Sequence, residues 1–164
     1  MVNKLKEVVI VSAVRTPIGT YKGSLKKIKS NQLGSIVIKE VLKKSKFDND
    51  EVDEVIMGQV LTAGEGQNPA RQAAINAGIP ISKPAYIVNQ VCGSGLRAVS
   101  LAAQSILTNQ SNLVVAGGQE SMSNAHHTIN LRNGLKMGDG NIKDSMIIDG
   151  LWCAMNDYHM GTTA

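Results

Sequence analysis

Residues 85–98 read AYIVNQVCGSGLRA and decide the fold, because they join a strand to a helix. The run Ala85–Asn89 predicts a short buried strand, and the apolar residues of Gly95–Leu107 recur at helical spacing. Cys92 lies at the turn between the two elements, next to glycines that carry no side chain. A second backbone or a ligand can therefore approach this turn closely.

The position of Cys92 favours chemistry at its sulfur. Unpaired N–H groups and the dipole at a helix N-terminus stabilise negative charge, so a thiolate is easier to form there. A small, soft nucleophile at a sharp turn suits covalent acyl transfer. On the residues alone, two other interpretations stay open. Cys92 is a small buried hydrophobic residue, or Gly93–Ala98 is a G-x-G-x-x-A turn that binds a dinucleotide. The second is weaker, because no acidic residue follows about 20 positions on.

The chain as a whole alternates strands and helices, the pattern of an α/β domain with a mostly parallel sheet and helices on both faces. Val8–Ala13 is rich in β-branched residues without polar alternation, as in a strand buried on both faces. Asn68 and Pro69 are typical of a helix start, and Gly78 of a helix end. The predicted strands cover residues 8–13, 52–60, 85–89 and 113–118, and the predicted helices cover 31–44, 70–77 and 95–107.

The character of the sequence changes after Gln119. Residues 120–150 are rich in Ser, Asn, Gly, His and Met and show little periodicity. A long irregular excursion in a compact domain is usually functional or belongs to an interface. We therefore divide the chain into an α/β domain with four strands, residues 1–119, and the start of a loop domain, residues 120–164.

The composition argues against several classes of protein. With 164 residues, of which 43% are hydrophobic, the chain can bury a core. An aromatic content of 3% disfavours the binding of single-stranded nucleic acid, which needs stacking platforms. The net charge of +4 comes largely from two lysine clusters, Lys26–Lys29 and Lys43–Lys46. We interpret them as a solvated face and a helix C-terminus; attraction of a polyanionic ligand is the alternative.

Targeting signals and metal sites are not expected. Met1–Glu7 has no apolar core with a cleavage site, and the apolar runs are too short to cross a bilayer. The two cysteines do not form the framework of a secreted protein. His126, His127 and His159 lack zinc-ligand spacing. These features predict a cytoplasmic protein that binds neither membranes nor metal.

Several blocks of the sequence resemble one known family, the thiolases. Val88–Leu96, followed by Ala98, Val99 and Ile106, is similar to the segment that carries the acyl group in that family. The resemblance covers essentially the whole chain, because further blocks occur in the family's order and spacing. These are Val14–Gly19, Gly58–Val60, Gly66–Ala73, Ala116–Ser123 and Tyr158–Ala164.

The resemblance implies a layered α/β/α fold and acyl transfer through a thioester on Cys92. Cys92 matches the nucleophile that takes the acyl group from acyl-CoA, and its backbone N–H matches a donor of the oxyanion hole. Leu151, His159 and Met160 match positions that line the pantetheine and acyl pocket. The implied reaction is the reversible condensation of two acetyl-CoA to acetoacetyl-CoA and CoA. Coenzyme A thioesters are the substrates, and no tightly bound cofactor is implied.

The resemblance also bears on assembly and specificity. Residues 125–139 resemble the loop through which tetrameric, biosynthetic-type thiolases pair their dimers, which implies a homotetramer and a short-chain substrate. A 3-ketoacyl-CoA thiolase of fatty-acid degradation is the alternative. A ketoacyl synthase-type condensing enzyme shares the fold, but its active-site surroundings do not resemble these blocks.

The sequence departs from the family in what it lacks. In thiolases the C-terminal half supplies a histidine, an asparagine and a second cysteine for catalysis, and none of those blocks occurs here. We therefore expect an incomplete fold, with the C-terminal thiolase domain absent and the 164 residues alone inactive. A non-catalytic fragment or scaffold is the opposing interpretation. Cys153 lies in a different block from the second cysteine and is interpreted as a pocket-edge or core residue.

Overall fold

A parallel three-stranded sheet lies at the centre of the computed structural model, which describes residues 6–164. The middle strand pairs with both neighbours in register: Val55 lies opposite Ala85 on one side and Val115 on the other. The strands are β1 (Glu54–Gly58), β2 (Ala85–Val88) and β3 (Val114–Gly118), in the order β2-β1-β3. Three of the predicted strands are thus confirmed. The prediction about a leader peptide concerns Met1–Glu7 and lies largely outside the described residues.

The three predicted helices are confirmed, and local signals account for their ends. The Asn68 side chain accepts the N–H of Arg71 at 3.1 Å, and Gly78 ends the same helix with a φ of 95°. Lys43–Lys46 forms the last turn and cap of the first helix, as predicted. The helices are α1 (Ser30–Ser45), α2 (Pro69–Ala77) and α3 (Ser94–Leu107).

Helices cover both faces of the sheet, as expected for the α/β class. Val55 and Met57 of β1 point to one face and pack in a cluster with residues of α1 and α2. Ile56, between them in sequence, points to the other face and packs against Ala98 and Ala102 of α3. Because all three β1 side chains are at most 1% exposed, β1 forms the interior of the domain.

The first predicted strand, Val8–Ala13, is wrong as a strand. In the described part of the chain, residues 6–20 form neither helix nor strand, and Val9, Ile10 and Val11 are 64%, 77% and 58% exposed. A strand requires a hydrogen-bonded neighbour, and this run forms no ladder with the open edge of β3. The α/β domain therefore has three strands instead of the four predicted.

The region after β3 is more ordered than its sequence suggested. Two short antiparallel pairs form, β4 (His127–Thr128) with β5 (Lys143–Asp144) and β6 (Trp152–Cys153) with β7 (Tyr158–His159). Between them lies a π-helix over Met146–Leu151, a rare element that is frequent at functional sites. These elements could not be predicted from the sequence, because each is too short to show a hydrophobic period.

The contact of α3 with the sheet depends on Gly58, the last residue of β1. A Cβ added to Gly58 would lie 2.4 Å from the carbonyl carbon of Ser94 and 2.5 Å from the nitrogen of Gly95. Backbone therefore packs directly on backbone where the strand meets the first turn of the helix. No side chain larger than hydrogen fits at residue 58 without moving α3.

We predict that Gly58→Ala lowers the free energy of unfolding by about 1–3 kcal/mol, the usual cost of overpacking an interior. Chemical denaturation of the protein measures this change. Gly117→Ala is the matched control in the neighbouring strand, because its added Cβ would meet only the Met57 sulfur, at an ordinary 4.0 Å. Equal effects of the two substitutions would contradict the prediction.

Candidate active site

Two of the predicted site residues, Cys92 and Leu151, line an opening at the carboxyl ends of β1 and β3. Carboxyl ends of parallel strands meet at one edge of a sheet, where α/β proteins bind ligands. The opening has a volume of about 430 Å³. Its walls are the end of β1 and the residues after it (58–61), the end of β3 and the residues after it (118–120), the turn into α3, Met122, and the end of the π-helix. We call it the Cys92 cavity, because the thiol lies in its wall.

The turn that carries Cys92, residues 89–94, is held by its own polar groups, and we refer to it as the elbow. The Ser94 hydroxyl accepts the N–H of Gln90 at 2.9 Å and donates to the carbonyl of Val91 at 2.5 Å. The Asn89 side chain accepts the N–H of Val91 at 2.9 Å. These bonds close the turn tightly, directly before the first turn of α3.

The elbow is strained at Val91, which has a φ of 48°. A β-branched side chain rarely adopts this left-handed conformation, because its Cβ crowds the following carbonyl. Such strain persists only where the surroundings determine the backbone, and it clusters at functional sites. Here it turns the chain so that the next residue, Cys92, points out of the sheet and into the cavity.

The Cys92 side chain is exposed, so the interpretation of Cys92 as a buried hydrophobic residue is wrong. It lies two positions before Ser94, the first residue of α3, close to the helix start that the sequence predicted. A thiol in this place can react with a molecule that enters the cavity. Its role as the acyl-carrying nucleophile, and that of its N–H as an oxyanion donor, stay predictions.

Glu120 is the one carboxylate in the cavity wall, and the sequence singled it out only as part of a family block. Its Oε2 accepts the N–H of Val60 at 2.8 Å, and its Oε1 accepts the N–H of Leu61 at 3.3 Å. Burial raises the pKa of Glu120 above its usual 4.5, although bonds from the N–H groups of Val60, Leu61 and Ser121 lower it. Its position right after an apolar strand is the sequence signal that could have revealed it.

Behind the cavity, buried amides link the ends of β1 and β3. The Gln119 side chain donates to Gln59 Oε1 at 2.8 Å, and Gln59 donates to the Ser30 hydroxyl and to the Leu61 carbonyl. The Gln119 oxygen lies against Gly34 of α1, where an added Cβ would be 1.8 Å away. These contacts fix the loops that form the cavity walls.

The three predicted pocket residues do not all meet. Leu151, at the end of the π-helix, lines the Cys92 cavity, whereas His159 and Met160 lie outside its lining. His159 is in β7, and its Nδ1 accepts the N–H of Gly161 at 2.9 Å. The structure thus brings only Leu151 beside Cys92, and the roles of all three remain predictions.

Cys153 is half-buried in β6 and does not line the Cys92 cavity. The N–H groups of Asn156 and Met155 and the Asn156 side chain lower the pKa of its thiol from the usual 9.0. The Asn156 amide nitrogen lies 3.3 Å from the sulfur. The second thiol therefore lies in a turn separate from the elbow.

Within residues 6–164 the protein has neither a cluster of metal ligands nor a helix that could cross a membrane. Nowhere in that range do three or more His, Cys, Asp or Glu side chains gather as they do around a metal ion. His127 lies 3.8 Å from Asp144 across the β4–β5 pair. The helices of the described chain are too short or too polar to cross a bilayer.

The fold and the site define an α/β protein that presents an exposed thiol where a parallel sheet meets a helix. A family model described as the N-terminal domain of thiolase matches residues 8–164. The chain therefore belongs to the thiolase family, within its N-terminal domain.

Individual relatives agree with this assignment. The chain is 56% identical to acetyl-CoA acetyltransferase of Paracoccus denitrificans over 98% of its own length and 41% of that protein. It is 55% identical to the cytosolic acetyl-CoA acetyltransferase of Rattus norvegicus over 96% of its length and 40% of that protein. It superposes on the crystal structure of Acat5 thiolase from Ascaris suum in complex with coenzyme A with a TM-score of 0.92 and 39% identity, covering 95% of this chain and 41% of that one. The chain thus spans about two fifths of the length of these relatives.

We predict that Val91→Asn stabilises the protein by about 1 kcal/mol, because asparagine tolerates the left-handed conformation that strains valine. Equilibrium unfolding in denaturant measures the gain. Val99→Asn, a similarly exposed valine in α3, controls for the loss of apolar surface and should bring no gain. A destabilised Val91→Asn protein would show that the elbow is not strained.

Proposed function

We propose that the protein is an acetyl-CoA C-acetyltransferase that condenses two acetyl-CoA to acetoacetyl-CoA and CoA, reversibly, through a thioester on Cys92. The observation that carries the proposal is the exposed Cys92 thiol on a strained elbow, facing a cavity with apolar walls. The names of relatives that share more than half of their aligned residues with this chain support the same activity. The Ascaris suum structure, which contains coenzyme A, supports a coenzyme A thioester as substrate.

The reaction has two steps at one sulfur. In the first, Sγ of Cys92 bonds to the carbonyl carbon of acetyl-CoA, the carbon–sulfur bond to coenzyme A breaks, and free CoA leaves with the proton that the thiol lost. In the second, another acetyl-CoA loses an α-proton, and its carbanion bonds to the acetyl carbon on Cys92. The Cys92 carbon–sulfur bond then breaks, and the thiol regains a proton. Holding both partners at one site supplies much of the rate.

The walls of the cavity suit a small acyl group. Met122 and Leu151 contribute apolar side chains to the lining of the cavity, where a methyl group is buried favourably. We propose that Leu151 contacts the acetyl group, and that His159 and Met160 contact the pantetheine arm farther out. The family resemblance assigns the activating histidine to the C-terminal blocks, so we expect activity from a protein of the family's length.

We predict that Cys92→Ser abolishes acetyl transfer and lowers turnover of acetoacetyl-CoA with CoA by roughly 10³-fold or more, because the hydroxyl is a poor nucleophile without its own activation. Mass spectrometry after incubation with acetyl-CoA detects the acetyl adduct on Cys92, and a spectroscopic assay follows acetoacetyl-CoA.

Cys153→Ser is the matched control, and it should keep both the adduct and the turnover. Normal turnover in Cys92→Ser would refute the proposed nucleophile. A wild-type preference for longer 3-ketoacyl-CoA substrates would favour a degradative thiolase instead. Full activity of the isolated 164-residue chain would contradict the expectation that these residues alone are inactive.

We further propose a cytoplasmic homotetramer, a dimer of dimers assembled through the hairpin of β4 and β5. The segment between these strands exposes several apolar side chains, and Met137 at its tip is fully exposed. Ile129, Leu131, Leu135 and Ile142 extend this apolar surface, with exposures of 39–67%. An exposed apolar cluster of this kind is typical of a protein–protein contact. The cytosolic relative from rat supports the proposed compartment.

We predict that Met137→Asp converts tetramers to dimers, because a carboxylate buried without a partner disfavours the interface. Sedimentation velocity measures the change in mass. Ile81→Asp, at another exposed apolar position outside the hairpin, should leave the tetramer intact. A tetramer that survives Met137→Asp would place the interface elsewhere.

A further inference from the structure

Glu120 is unusual because a carboxylate is costly to place in a partly buried wall. Its charge is retained by N–H donors: Val60 at 2.8 Å, Leu61 at 3.3 Å from Oε1 and 3.4 Å from Oε2, and Ser121 in its own loop. A neutral side chain would avoid the desolvation that a buried carboxylate incurs. Stability alone therefore does not explain a glutamate at this position, which lies in the same cavity as Cys92.

The contacts of Glu120 converge on Leu61. The N–H of Leu61 donates to the Glu120 carboxylate, while its carbonyl accepts from Gln59 at 2.9 Å. The Leu61 side chain is 6% exposed and reaches the π-helix, where an added Cβ on Gly150 would lie 3.4 Å from it. Glu120 thus holds a residue that packs against the wall formed by Gly150 and Leu151.

We propose that Glu120 is a positioning residue for the reaction at Cys92. Its carboxylate fixes the backbone of Val60 and Leu61, and through Leu61 it fixes the distance between the elbow and the π-helix wall. The acyl group of a thioester has to fit between these two walls while the thiol attacks. This inference rests on the proposed function, because it assumes that Cys92 is acylated.

The N–H groups of Val60 and Leu61 both donate to the Glu120 carboxylate. A neutral side chain at residue 120 should therefore disturb their positions. In Glu120→Gln, one oxygen can still accept, but the new NH₂ group faces a backbone N–H donor. The two donors repel each other, and residues 60–61 move away from residue 120. A displacement on the order of 1 Å near a reacting group can lower a rate about 10²-fold.

The protonation of Glu120 makes its positioning role depend on pH. Because burial raises its pKa, the carboxyl gains a proton at a higher pH than an ordinary glutamate, and it then carries a hydrogen that the N–H groups cannot accept. The ionisable groups around it in the described chain are Glu65, whose charge raises the pKa further, and Cys92 in the same cavity.

Protonation of Glu120 changes the stability of the fold and the rate of acylation in opposite directions. A carboxyl whose pKa is raised by folding contributes stability that is present below its unfolded value and is lost as pH rises through the folded value. As pH falls through this window, the protonation of Glu120 therefore favours the fold while it weakens the hold on Leu61. A fall in acylation without unfolding is the mark of positioning.

The test is the single-turnover rate of acetyl transfer from acetyl-CoA to Cys92 in a protein of the family's length, followed by mass spectrometry from acidic to neutral pH. We expect Glu120→Gln to lower this rate about 10- to 100-fold at neutral pH. The fall of the rate at acidic pH, which we call the acidic limb, should disappear in this variant. The midpoint of thermal unfolding should be unchanged or higher. Glu120→Asp, which keeps the charge, should recover part of the rate.

Glu65→Gln is the matched control, because Glu65 accepts the Ser30 hydroxyl behind the cavity and keeps an oxygen for it as an amide. It should acylate at the wild-type rate, with its acidic limb moved to lower pH. Wild-type acylation by Glu120→Gln, an unchanged acidic limb, or a rate that falls only as the protein unfolds would overturn the positioning role. A wild-type protein that takes no acetyl group on Cys92 would instead overturn the proposed function.

Discussion

The direct packing of backbone on backbone at Gly58 is the contact on which the site depends. It lets the first turn of α3 lie on the end of β1, which is buried on both faces. The elbow is thereby drawn to the same edge of the sheet as the ends of β1 and β3. The close approach sets where the elbow lies, and the strained backbone of Val91 then sets the direction of Cys92.

The walls of the cavity are built from polar groups that point away from it. Gln59 and Gln119 turn toward α1 and bond to each other, and Glu120 turns its carboxylate to the backbone of the loop after β1. Their hydrogen bonds are made within the protein, except that the buried Gln119 Oε1 has no partner in the described chain. The apolar part of the cavity lining comes from Val60, Leu61 and Val91 together with Met122 and Leu151. These polar residues therefore hold the backbone of the walls in place while apolar side chains line the site.

Local patterns were enough to predict the elements whose signals are local. Helix α2 is specified by Asn68, Pro69 and Gly78, and the turn that carries Cys92 follows from an apolar run before a helical one. Val8–Ala13 could not be assigned in the same way, because being a strand depends on a neighbour as well as on composition. The contact between Glu120 and Val60 joins residues 60 positions apart, and no spacing rule reveals it. The left-handed conformation of Val91 is likewise set by the turn around it.

Packing connects the walls of the cavity to Gly34, which lies outside the cavity itself. It lies in α1, on the face opposite α3, yet any side chain there would collide with the Gln119 oxygen. Gln119 precedes Glu120 and is bonded to Gln59, so the displacement would pass to both loops of the cavity. In a survey of sequence variation, Gly34 should therefore tolerate change as poorly as the cavity residues themselves. We therefore expect the tolerance of Gly34 to mutation to depend on its contact with the buried amides and not on its distance from the thiol.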